Sequence, residues 1–247
     1  MLWLLTSLLK LIFRLKVIAL SVAAGMAIAY GLQLRQLSRS WGLLPGDADR
    51  QLPGDDLVDD ADHTETRSII VEAAPSAIWP WLAQMGYGRG GWYGYPQLDR
   101  AWSPVASARS GSADRLLPGH GDLAVGDIVP THPGGGFVAK VVEPDRALVL
   151  YLDDVILREQ AQTAADKGSV RAAERLREMD MPAFGMSWAF ILDEEPAGRS
   201  RLVERFRLRM DLSAPQRRGL PMLGLGVFAL MRSQMLGIKR RVEKPRA

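Results

Sequence analysis

The sequence contains no cysteine. That excludes disulfides, thiolate catalysis and Cys-ligated zinc, and it leaves the redox compartment open. Histidine is nearly as scarce, with only His63, His120 and His132. His63 sits in an acidic Pro/Gly stretch. His120 and His132 are flanked by glycine or proline, and no H-x-x-x-H pair could place two ligands on one helix face. No metal site is expected, and nothing supports a Ser-His-Asp triad. The aspartates between Asp47 and Asp62 lack the spacing of an EF-hand loop. No nucleic-acid motif accompanies the basic residues, so nucleic acid is not an expected partner. No cofactor is expected either.

Two short motifs also fail on context. Gly86, Gly88 and Gly91 spell G-x-G-x-x-G, but a dinucleotide fingerprint must follow a strand and open a helix. Here a Trp-rich helical stretch precedes and aromatic residues follow, so the glycines read as a helix-end turn needing positive φ. Gly185-Met186-Ser187-Trp188-Ala189 approaches a nucleophile elbow, yet Ser187 opens an alternating strand instead of a strand–helix turn.

What is present is a chain of 247 residues, 47% hydrophobic and 24% charged, too apolar for a disordered protein. The net charge of +3 hides blocks of opposite sign. Lys10, Arg14, Lys16, Arg35 and Arg39 flank the first apolar stretch. Asp47, Asp49, Asp55, Asp56, Asp59, Asp60 and Asp62 crowd the next segment. The end is basic again from Arg199 to Arg246.

Val17 to Leu34 runs eighteen residues without a charge, enough as a helix to cross most of a roughly 30 Å hydrocarbon core. Leu2 to Phe13, with Lys10 inside it, reads as an amphipathic extension whose cations reach the headgroups. Ala27 and Ala29 supply an A-x-A pattern, but the apolar run exceeds a signal-peptide core. Residues 1–40 are therefore expected to be a single-pass anchor that is not cleaved. Basic residues at both ends give the positive-inside rule no preferred side.

Residues 41–66, rich in Pro, Gly and Asp, read as a solvated acidic linker that would hold the following domain off the membrane. Regular structure is expected from Arg67. The segment Arg67–Ala73 reads as a strand and Ser76–Met85 as a short helix after Pro75, with a possible second short helix through Leu98 and Trp102. Strands follow at Val125–Val129, Phe137–Glu143, Ala147–Asp153, Ser187–Asp193 and Arg201–Met210. A polar helical insertion is expected over 155–180. Pro215 to Val242 carries Leu220, Leu223, Val227, Leu230, Met231, Met235 and Ile238 near helical spacing, and such a helix needs the sheet as its partner. The fold class is α+β, in a domain spanning 67–245.

The segments RSIIVEAAPSAIWPWLAQMGYGRGGWYGY (67–95), SADRLLPGHGDLAVGD (112–127), SWAFIL (187–192) and LGIKRR (236–241) resemble the START/Bet v 1-like superfamily. This group is also called SRPBCC or polyketide cyclase/dehydrase-like. The resemblance implies a helix-grip fold, an antiparallel sheet curved around a long C-terminal helix to enclose an apolar pocket. It says little about activity, because that fold hosts carriers, sensors and enzymes.

The aromatic residues Trp81, Trp92, Tyr93, Tyr95, Trp102, Trp188, Phe190 and Phe206 are the candidate pocket wall. On the last strand Leu202, Glu204, Phe206, Leu208 and Met210 share one face. Glu204 thus points with the apolar set, as a ligand contact, a proton carrier or half of an ion pair. Asp114 and Arg115 read as a structural pair or a polar anchor, and His120 as a candidate acid–base group. The expected function is a membrane-anchored binding or transfer module for a lipid or other hydrophobic small molecule. The alternative is a polyketide cyclase/dehydratase-like enzyme; a solidly packed interior would leave only an interaction protein.

Overall fold

The structure is a computed structural model that describes residues 41–95, 111–169, 182–213 and 220–244, with a few isolated positions outside those ranges. Residues Trp41–Ala247 form one compact unit and Met1–Ser40 another. The expected transmembrane helix over Val17–Leu34 lies almost wholly outside the described residues, as does the second short helix near Trp102. Among the described residues no helix is long and apolar enough to cross a membrane.

The larger unit is α+β. Six strands, β1 (His63–Val71), β2 (Ile128–His132), β3 (Gly135–Glu143), β4 (Ala147–Asp153), β5 (Phe184–Glu195) and β6 (Arg199–Met210), form one antiparallel sheet. Its order is β1-β6-β5-β4-β3-β2. The first and last strands in sequence are therefore neighbours, so β6 lies between two partners. Among the described residues the α-helices are α1 (Pro75–Ala83), α2 (Asp154–Asp166) and α3 (Leu220–Val242).

Local chemistry explains these elements. Pro75 opens α1 after an extended Ala74, where its missing N–H costs nothing. The Asp153 side chain accepts from the Ile156 N–H at 2.7 Å and starts α2, a side-chain N-cap. That helix covers the first part of the expected insertion and buries no residue; residues 170–181 lie outside the description. Gly86, Gly88 and Gly91 all take positive φ, the turn conformation their spacing implied.

Side-chain alternation divides the sheet into two faces. On β6, Leu202, Glu204, Phe206 and Leu208 stand opposite Ile69, Arg67, Glu65 and His63 of β1, and opposite Leu192, Phe190, Trp188 and Met186 of β5. This is the inner face. The α3 residues Val227, Met231, Met235 and Ile238 are buried, a stripe at helical spacing. Met235 and Ile238 join one apolar cluster with Leu148, Leu150, Phe190 and Leu202.

The outer face holds a correction to the sequence reading. The segment expected as a solvated linker is packed on the sheet, and the strand expected from Arg67 starts at His63. Leu52 and Val58 are buried, and Leu52 joins Val149, Ala189, Ile191 and Val203 in a second apolar cluster. Arginines of β6 hold the segment down. The Arg205 guanidinium donates to Asp55 Oδ2 at 2.6 Å, to Thr66 Oγ1 at 3.0 Å, and to the backbone carbonyls of Asp47, Ala48 and Arg50. Arg201 pairs with Asp47 at 2.7 Å and Arg207 bonds the Val58 and Asp59 carbonyls. Like charges extend a free segment, but here the aspartates face guanidinium groups in reach of charge-assisted bonds. The segment is a strap.

Candidate functional site

The inner face carries an unusual polar row. His63, Glu65 and Arg67, two residues apart on β1, share that face, and Glu204 of β6 stands directly opposite Arg67. Arg67 and Glu204 have no exposed surface, and Glu65 is buried. The Arg67 guanidinium bonds Glu65 Oε2 and donates to the Thr66 carbonyl at 2.8 Å. The His63 ring nitrogen lies 3.1 Å from Glu65 Oε1. Phe228 of α3 covers Arg67, its ring centroid 5.1 Å from the guanidinium carbon, a cation–π arrangement. Gly224 lies over the other end of the row, where a Cβ would come within 2.8 Å of Glu65 Oε1.

The two carboxyl groups behave oppositely. Burial pushes Glu65 up, but the His63 imidazole and Arg67 guanidinium outweigh it and hold Glu65 below its ordinary value. Glu204 is pushed well above the ordinary carboxyl value by burial, which the Trp188 indole N–H, near the carboxyl but outside hydrogen-bond geometry, and Arg67 only partly offset. Neither carboxyl oxygen of Glu204 has a hydrogen-bond partner among the described residues, and the same holds for Trp188 Nε1, Arg67 Nε and Gln234 Oε1. Charge balance accounts for the difference. One guanidinium in a low-dielectric interior supports one carboxylate, so ionising the second acid is disfavoured.

Beside this row stands an aromatic wall built around Trp188. Trp92 stacks on Trp188 at 5.6 Å with 2° between the planes. Phe137 meets both rings edge-on, Phe190 lies 5.2 Å from Trp188, and Phe206 approaches it at 89°. Such pairs each contribute about 0.5–1.5 kcal/mol beyond their burial. Although they belong to the inner face, Trp92, Trp188, Phe206, Met186 and Met210 are only half-buried. Glu204 lies just behind them, its oxygens enclosed.

Several expected site residues lie elsewhere. Trp92 and Tyr93 point apart, since Tyr93 has φ +61°. The buried Tyr93 ring packs edge-on against Trp81; its hydroxyl donates to the Trp81 carbonyl at 2.9 Å and accepts from Gln84 at 3.0 Å. Burial pushes that hydroxyl up to about 12, which suits a fixed structural donor. Tyr95 is exposed beneath Arg240. The proposed Asp114–Arg115 pairing does not form: Asp114 pairs with Arg241 at 3.2 Å, while Arg115 is exposed and offers its carbonyl to Gln84. The reason is the approach of α3, which brings Arg241 over the Tyr93 ring. His120 stays in its loop, its Nδ1 beside the Pro118 carbonyl, apart from the Glu204 row. Trp102 lies outside the described residues. Among the described residues no group of three or more His, Asp or Glu could hold a metal.

An open groove of about 640 Å³ on the other side of the sheet is lined by Arg50, Leu52, Arg146, Ile191 and Asp193, among others. Arg50 is already bonded to both oxygens of Asp193, and the groove contains none of the aromatic wall.

No family model matches the chain, and no curated protein matches it. Among solved structures it is similar to a conserved protein of unknown function from Enterococcus faecalis (14% identity, 78% of this chain and 82% of that one, TM-score 0.35). It is also similar to proteins from Mesorhizobium loti (16% identity, 72% and 98%, TM-score 0.36) and Rhizobium loti (12% identity, 71% and 96%, TM-score 0.33). TM-scores this low carry no argument about fold or function.

Proposed function

We propose that the chain is a membrane-tethered binding or transfer module for a lipid or other hydrophobic small molecule. In this reading it has a helix-grip architecture related to the START/Bet v 1-like superfamily, and the apolar segment before Trp41 is the tether. The observation that carries it is the half-buried wall of Trp92, Trp188 and Phe206 on the face that α3 also covers. Large rings left accessible on an interior face lose roughly 25 cal/mol for each Å² kept in water. An apolar guest recovers that loss.

The test uses a photoactivatable fatty acyl or phospholipid probe, added to the full chain in bilayers and mapped by peptide mass spectrometry. Cross-links are expected in the β5 and β6 peptides that contain Trp188 and Phe206, and they should fall sharply in Trp188→Ala. Cross-links confined to residues before Trp41 would count against the reading.

A second reading, a polyketide cyclase/dehydratase-like enzyme, has one observation in its favour: a carboxylic acid kept neutral by burial can donate a proton. Its geometry is poorer, since both Glu204 oxygens are enclosed and no histidine or tyrosine bonds them. Turnover of an apolar carbonyl substrate that disappears in Glu204→Gln, with binding intact, would favour it.

A further inference from the structure

The connection that precedes Trp41 is short, and the strap that follows it is bonded to the sheet. Only six residues separate Leu34, the end of the uncharged run, from Trp41. Fully extended, that connection reaches about 25 Å, and as a helix roughly 10 Å. It cannot be lengthened from the far side, because the strap that begins with residues 41–62 is bonded onto the sheet: Asp47 and Asp55 to Arg201 and Arg205, and the Ser68 hydroxyl to the Gly42 carbonyl.

Where the strap begins, the surface is apolar. Trp41 is half-buried and lies edge-on to Phe228 of α3, with ring centroids 6.4 Å apart. The exposed Arg232 lies over its other side at 5.4 Å. Leu44, three residues on, is 55% exposed, and Leu225, one turn before Phe228, is 37% exposed. Phe228, Ala229 and Leu230 are themselves only half-buried. Apolar side chains with a tryptophan and an arginine at the margin are the composition of a surface that sits at headgroup depth. Arg35 and Arg39 of the connection supply further cations toward anionic headgroups.

We propose that the patch formed by Trp41, Leu44, Leu225 and Phe228 docks on the phospholipid bilayer, so that the unit lies against the membrane instead of being held away from it. This rests on the reading of Val17–Leu34 as a membrane segment. It adds to the proposed function that a hydrophobic guest passes between bilayer and interior at the first half of α3, the half that covers Glu65 and Arg67.

The absence of cysteine makes the test direct. Single variants Leu44→Cys, Leu225→Cys, Val155→Cys and Ala24→Cys of the full chain carry a nitroxide in phosphatidylcholine/phosphatidylglycerol bilayers. Collision with dissolved oxygen is compared with collision with a water-soluble nickel chelate. Positions 44 and 225 are exposed, so the substitutions leave the core intact, and unchanged thermal unfolding checks this. The proposal expects labels at 44 and 225 to favour oxygen, resembling position 24, while the label on the exposed Val155 of α2 favours nickel. Oxygen preference at 24 with nickel preference at either 44 or 225 overturns the docking and leaves the anchor standing. Nickel preference at 24 removes the anchor, and the docking falls with it.

Discussion

Replacing Glu204 with Gln tests whether the inner face holds a neutral acid. The carboxyl has no exposed surface and no hydrogen-bond partner among the described residues. Burial raises its pKa well above the ordinary 4.5. Below about that pH both native and unfolded chains hold the proton, and Glu204 contributes no pH dependence. Above it the unfolded chain releases the proton and the native chain keeps it. The native state then binds more protons, so stability falls with rising pH by up to about 1.4 kcal/mol per unit until the native group itself ionises. Glutamine keeps the shape and cannot ionise. Urea unfolding of wild type and Glu204→Gln, followed by tryptophan emission between pH 4 and pH 8, isolates the effect, because other titrating groups cancel in the difference. The two stabilities should approach each other near pH 4, with the variant gaining over wild type as pH rises. Parallel curves across that range would show that Glu204 titrates alike in both states and would refute the reasoning.

Arg205→Ala removes the donor shared by Asp55, Thr66 and three strap carbonyls, and should cost about 3–5 kcal/mol. Hydrogen exchange should then accelerate over residues 47–58, before the sheet loses protection. Gly237→Ala places a Cβ on the carbonyl oxygen of Tyr93, so α3 cannot seat; a loss of about 3 kcal/mol is expected by thermal unfolding. Asp114→Ala, by contrast, breaks a pair whose acidic side chain is 83% exposed. Stability should shift by no more than about 0.5 kcal/mol, and a large loss would give the Asp114–Arg241 contact a weight its exposure does not explain.

The alternation in RLVERFRLRM was enough to place Glu204 inside, and it did so because β6 lies between β1 and β5 with both faces in use. The arginines of the same strand were harder to read. In the sequence Arg201, Arg205 and Arg207 had no assigned partner, and Asp47 to Asp62 read as part of a solvated linker. Each is the partner of the other across about 150 positions of sequence, a pairing that no local pattern can express. The signal that could have exposed it was a matching surplus: a strand with one cationic face and an upstream segment with as many anions. The row His63, Glu65 and Arg67 was missed for a related reason. The first six residues of β1, HTETRS, are polar throughout and offer no alternation of hydrophobicity, so their inward face shows only once the β6 register is known. Trp188, Phe190 and Phe206 were found as aromatics on alternating strands, while Phe137 was passed over on β3. Tyr93 was grouped with Trp92 because nothing in GGWYGY announces the positive φ that turns the two rings apart.

The most direct measurement of the central claim is native mass spectrometry of the full chain released from detergent micelles, with organic extraction of the same sample. A carrier predicts one apolar guest bound per chain, lost or depleted in Trp188→Ala while the chain stays folded. A chain that flies free of any guest, and takes up none from an added lipid extract, would contradict it.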